Sequence, residues 1–166
     1  MTKQSQAERR ELRFETLEEL LAEVDRLVEA DRAGRLRAVG NWTAGQILGH
    51  IAAWIEYGYD GYPMAKPPWF VRFMARRFFK RMLRRGMQPG FSIPGVEGGT
   101  YGIDDMPTEE AAERLKRAIA RLQAGEPAKF HSPAFGTISE EDRIQLTLRH
   151  AELHLGFLVP DATGEQ

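Results

Sequence analysis

At 166 residues, with a net charge of −1 and no cysteine, the chain has the size of one domain that can bury a core without covalent staples. The lack of cysteine excludes disulfides and thiolate ligands, so any metal held by side chains must use His, Asp or Glu. No stretch reaches the roughly 18 uninterrupted apolar residues of a membrane span. The polar start, Met1 to Arg10, has no signal-peptide apolar run, so a cytoplasmic protein is expected.

The first predicted element opens at Thr16-Leu17-Glu18-Glu19, a capping box. Its apolar positions, Leu17, Leu20, Leu21, Val24, Leu27 and Val28, recur at helical spacing and run to about Asp31. A second box, Thr43-Ala44-Gly45-Gln46, starts a helix with Ile47, His50, Ile51, Trp54 and Ile55 on one face. The glycine- and tyrosine-rich run from Tyr57 to Pro63 should end it. A third helix is expected after Pro67-Pro68, stopping at Gly86, followed by a glycine- and proline-rich loop from Gln88 to Met106. A loop of that length in a compact domain is usually functional or ordered by covering something.

Pro107-Thr108-Glu109-Glu110 opens the fourth helix, with Ala111, Ala112, Leu115, Ile119 and Leu122 apolar, ended by Gly125 and Pro127. Ser139 opens the fifth. It carries Ile144, Leu146, Leu148, His150, Leu153, His154, Phe157 and Leu158, and Pro160 is expected to close it. No strand pattern stands out and no repeat is present, so the economical expectation is an all-α bundle over residues 1–166.

Four histidines occur in the chain. His150 and His154 lie four apart on one helix, so both imidazoles project from the same face, one turn apart. His50 falls on the face that its own helix must bury. Three imidazoles directed at one core are costly to desolvate unless paired or ligated, and one metal ion would satisfy all three. The competing reading leaves each as a core histidine bonded to a backbone carbonyl or hydroxyl. Three histidine ligands normally leave a fourth position open, where a metal can acidify water or act as a Lewis acid. A zincin protease needs Glu directly after the first histidine; Ala151 stands there, which argues against that class.

The run Trp42-Thr43-Ala44-Gly45-Gln46-Ile47-Leu48-Gly49-His50, together with His150-x-x-x-His154, resembles the DinB-like superfamily of metal-binding four-helix bundles. The loop His131-Ser132-Pro133-Ala134-Phe135-Gly136 resembles one of its uncharacterised branches, and the likeness spans Phe14 to Phe157. It implies an up-down-down-up bundle holding nickel, zinc or a similar divalent ion on His50, His150 and His154. Relatives include enzymes that use low-molecular-weight thiols for transfer or isomerisation, and dimers. A homodimer acting on a small molecule is therefore expected. The third helix and the loop after it depart from a minimal bundle, as an insertion between bundle helices two and three. His131 is a candidate catalytic residue, either at the mouth of the site as a proton carrier or simply a solvated loop histidine.

Charge is unevenly spread. Residues 61–96 hold eight Lys or Arg and no acid, leaving 15 basic against 24 acidic residues elsewhere, a balance of −9. The helix at 69–85 is amphipathic, with Val71, Met74, Phe78, Phe79, Met82 and Leu83 on one side and seven cations on the other. Its apolar side is expected to pack on the bundle or on a twin subunit. Peripheral contact with anionic lipid ranks second. Nucleic acid ranks last, for want of a reading motif. The functional expectation is a divalent-metal-dependent transferase or hydrolase. Its alternative is a non-catalytic metal-binding or stress-response module working through the basic helix or a dimer face.

Overall fold

The computed structural model describes residues 9–90, 93, 96 and 99–161. Among these residues five helices follow in order: α1 (Leu17–Arg32), α2 (Ala44–Asp60), α3 (Trp69–Arg85), α4 (Thr108–Gln123) and α5 (Glu140–Leu155). The start signals work as the sequence implies. Thr16 accepts from Glu19 N while the Glu19 carboxylate accepts from Thr16 N, and Thr43 and Gln46 exchange the same pair of bonds. Each box satisfies backbone donors that a bare helix end would leave open. The Ser139 hydroxyl caps α5 by accepting from Asp142 N at 3.1 Å.

α1 packs against α4 and α5, and α2 packs against the same two helices. The four therefore enclose one core, built from Leu20, Val24, Leu27, Ile47, Leu48, Ile51, Leu115, Ile119, Leu148 and Leu155 among others. α3 lies outside this group, against α5. Phe79 packs against Phe135 with the rings tilted, at 4.7 Å between ring centroids, Arg76 Nε donates to Phe135 O at 3.2 Å, and Lys80 pairs with Asp142 at 2.7 Å. The loop His131–Gly136 is thus a seat for α3, closed on itself by paired Ser132 and Gly136 backbones.

Three expectations need correction. A small antiparallel sheet is present, joining β1 (Leu36–Ala38) to β2 (Leu158–Pro160), with Arg37 opposite Val159. Each strand has three residues, too few for an alternation to show in sequence. α5 consequently ends at Leu155 rather than at Pro160. Gly156 stands where the N-terminal segment crosses, and a Cβ there would lie 2.7 Å from Arg10 O. Finally, α5 buries Thr147, Leu148, Ala151 and Leu155, while Leu146 and Leu153 are only half-buried.

Arg149 and Glu152 on α5 are also buried, paired at 2.8 Å. Both reach the backbone of buried Phe14: its N–H donates to Glu152 Oε1 at 2.6 Å, and its carbonyl accepts from Arg149 Nη2. Upstream, Arg10 Nε donates to Leu158 O at 2.6 Å, and Arg10 Nη2 pairs with Glu23 at 2.7 Å. Residues 9–14 thereby clasp the end of α5 that carries the two histidines.

Candidate metal centre

α2 and α5 bring His50, His150 and His154 together. One nitrogen from each ring lies within 4.8 Å of the other two, close enough for the three to hold one metal ion. His50 Nε2 and His150 Nε2 stand 3.2 Å apart. With metal–nitrogen bonds of about 2.0–2.1 Å, two tetrahedral ligands sit about 3.3 Å apart, so this pair already has ligand spacing. The ring centroids of His154 lie 4.5 Å from His50 and 4.6 Å from His150.

The orientation of His50 is fixed from behind. Its Nδ1 lies 2.8 Å from Tyr101 O. A carbonyl only accepts, so Nδ1 carries the hydrogen and Nε2 presents a lone pair to the other imidazoles. This is the outer-sphere arrangement that metal-binding histidines usually have.

Tyr101 comes from the long loop, and the sequence of α2 explains why the loop can lie there. Gly45, Gly49 and Ala53 are four apart and make a smooth strip along one face. Met106 O occupies the place of a Gly45 side chain, since a Cβ there would be 1.9 Å away; Met106 Sδ is 3.1 Å from the same position on Gly49. Gly102, at φ +75, comes so close that its own Cβ would meet the Ala53 methyl at 2.7 Å. The second half of the loop therefore covers the centre. Its residues 91, 92, 94, 95, 97 and 98 lie outside the described residues.

Aromatic rings form the wall. Trp42 stacks on His154, at 5.4 Å and 15° between planes, and Trp54 meets His50 and His150 edge-on. The Trp54 Nε1 hydrogen is buried with no partner among the described residues. Burial pulls His50 down to about 4, with the Tyr101 carbonyl acting weakly in the opposite direction. Burial also carries His150 and His154 well below the ordinary histidine value, reinforced by the neighbouring imidazoles and, for His154, by Arg9. All three are therefore neutral at pH 7, the form that ligates. The donor set, its spacing and its protonation all fit a divalent transition metal.

A consequence follows for the metal-free protein. The unfolded chain takes up protons on these histidines from about pH 6.5 downward, whereas folded His50 resists until about pH 4, so stability falls as pH falls through that window. Between pH 7 and pH 5 His50 alone removes about 2 kcal/mol, and the other two act in the same direction. Urea unfolding in chelator at both pH values should show the loss. Equal midpoints would mean that the imidazoles are not held neutral in the fold.

His131 is not part of this group. It is exposed, 3.4 Å from Thr137 Oγ1. Its neighbours Lys129 and Phe130 donate to Gly58 O, eight residues beyond His50 and about 12 Å along α2. Sequence reasoning missed the Tyr101 carbonyl, for which the Gly45–Gly49 spacing was the available signal. Arg149 and Glu152, charged residues beside the histidine pair, also face inward. No helix among the described residues is long and apolar enough to cross a membrane. Comparison with curated proteins and with solved structures gives no match. A family model described as "Protein of unknown function (DUF1569)" matches residues 6–161, nearly the whole chain, and the chain belongs to that family.

Proposed function

We propose that this chain is a divalent-metal-dependent enzyme of the DinB-like type, with His50, His150 and His154 as ligands and one coordination position open to a small molecule. The observation that carries the reading is the 3.2 Å approach of two neutral imidazole nitrogens, His50 Nε2 and His150 Nε2, with His154 alongside and no counter-charge among them. Four helices around one core, with ligands on two of them, agree with an up-down-down-up bundle carrying an inserted basic helix. Nickel or zinc suits an all-imidazole set.

A bound ion supplies Lewis acidity toward an oxygen or sulfur of the substrate, which fits transfer involving a low-molecular-weight thiol or hydrolysis. The chain's own groups do the rest. Tyr101 O holds the His50 ring, Trp42 and Trp54 keep bulk water out, and the unpartnered Trp54 N–H is free to donate to an acceptor atom bound in the centre. His131 takes no part in this scheme. A homodimer remains part of the proposal.

The second reading, a non-catalytic metal-binding or stress-response module, draws on the exposed apolar surface of α3. Water-proton relaxation of manganese-loaded protein separates the two. Fast-exchanging water at the ion, displaced by a small thiol, is the expected result. An ion with no exchangeable position is structural, and the enzymatic reading then fails.

A further inference from the structure

The amphipathic α3 does not bury its apolar side. Only Phe79 and Leu83 are buried, at the edge that meets α5 and the 131–136 loop. Trp69 is 77% exposed, Phe73 63% and Phe70 55%, and Val71, Met74 and Phe78 are exposed with them. The expected division of the helix into an apolar and a basic side does not hold: at about 100° per residue these six side chains share one outward arc with Arg77, Arg81 and Arg85, and Arg85 falls between Met74 and Phe78. The outward surface is therefore aromatic over its first two turns and basic along the rest. Among the described residues no acidic side chain pairs with Arg77, Arg81 or Arg85, and residues 61–96 contain no acid.

We propose that α3 is a docking surface for an anionic lipid bilayer, on which Trp69, Phe70, Phe73 and Met74 enter the headgroup region while Arg77, Arg81 and Arg85 meet lipid phosphates. Charge complementarity selects this occupant. A second copy meeting α3 through the same surface would bring two unneutralised arginine rows together. A nucleic acid would engage the arginines but leave the large apolar side chains in water. An anionic membrane takes up both, cations at its phosphates and aromatic rings at the interface. Contact is peripheral, because no helix among the described residues has the length and apolarity to span.

Co-sedimentation of the full chain with phosphatidylcholine vesicles, with and without phosphatidylserine, tests the proposal. Partition onto the anionic vesicles should exceed that onto neutral ones at least about tenfold and fall with added salt. Trp69→Ser/Phe73→Ser and Arg77→Glu/Arg81→Glu should each lower it at least about tenfold. All four side chains are exposed, so the circular dichroism of both variants should match wild type. Equal partition onto neutral and anionic vesicles overturns the proposal, as does binding that survives Trp69→Ser/Phe73→Ser. A doubling of mass in solution that the same variant abolishes assigns the surface to a second copy instead. Binding to duplex DNA that the variant leaves intact, without vesicle binding, assigns it to nucleic acid.

Discussion

His150→Ala should abolish stoichiometric metal binding while leaving the metal-free fold close to wild type. Outer-sphere partners of a ligating histidine are commonly worth 10–100-fold in affinity, so loss of a ligand itself should cost at least about 100-fold. An ion present at 100 times its dissociation constant stabilises a fold by about 2.7 kcal/mol, which for a domain of this size raises the melting temperature by about 8 °C. That increment should vanish in His150→Ala and persist in His131→Ala. The variant should not collapse without metal, because His150 lies beside the apolar core rather than within it. Metal analysis after refolding with nickel, zinc or manganese provides the count, and melting curves with and without chelator provide the increment. A wild-type protein that retains no stoichiometric ion from any of the three removes the basis of the proposed function.

The legible part of this molecule is the part written in local pattern. Thr16 and Thr43 each sit three residues before a Glu or Gln that returns the hydrogen bond, so both helix starts could be placed to the residue. Pro68 and Gly86 bracket α3 for equally local reasons. The histidine group was legible from the four-residue spacing of His150 and His154 on one helix and from the place of His50 on the face that its own helix buries. The illegible parts depend on partners far away in the chain. β1 and β2 pair across more than a hundred residues, and neither is long enough to reveal a period. Leu158, which reads as a continuation of α5, is buried instead as a strand residue. Tyr101 contributes a backbone carbonyl, which no side-chain identity can announce. The apolar side of α3 was legible but its fate was not. Amphipathicity specifies a surface that avoids water, without saying whether α5, a twin or a membrane covers it.

Arg149 and Glu152 depended on the fold in the same way, since charged side chains are seldom fully buried unless paired, and beyond each other their partner is the distant backbone of Phe14. Their removal should have a large effect on stability. Glu152→Ala leaves the Arg149 guanidinium buried without its carboxylate and orphans the Phe14 N–H, a combination expected to cost about 3–5 kcal/mol. Replacing a buried ion pair by two apolar residues is often nearly neutral. Here Arg149→Leu/Glu152→Leu should stay well below wild type, because both polar groups of the Phe14 peptide backbone lose their partners, at about 1–3 kcal/mol for each buried group left open. Glu152→Gln keeps an acceptor for Phe14 N–H and should fall between wild type and Glu152→Ala. Urea unfolding of the metal-free proteins at pH 7 ranks the variants without the contribution of the ion. A double variant as stable as wild type would show that the pair does not tether residues 9–14. Destabilisation in the expected order would place the tether beneath the metal centre: residues 9–14 hold the end of α5, and that end sets where His150 and His154 meet His50.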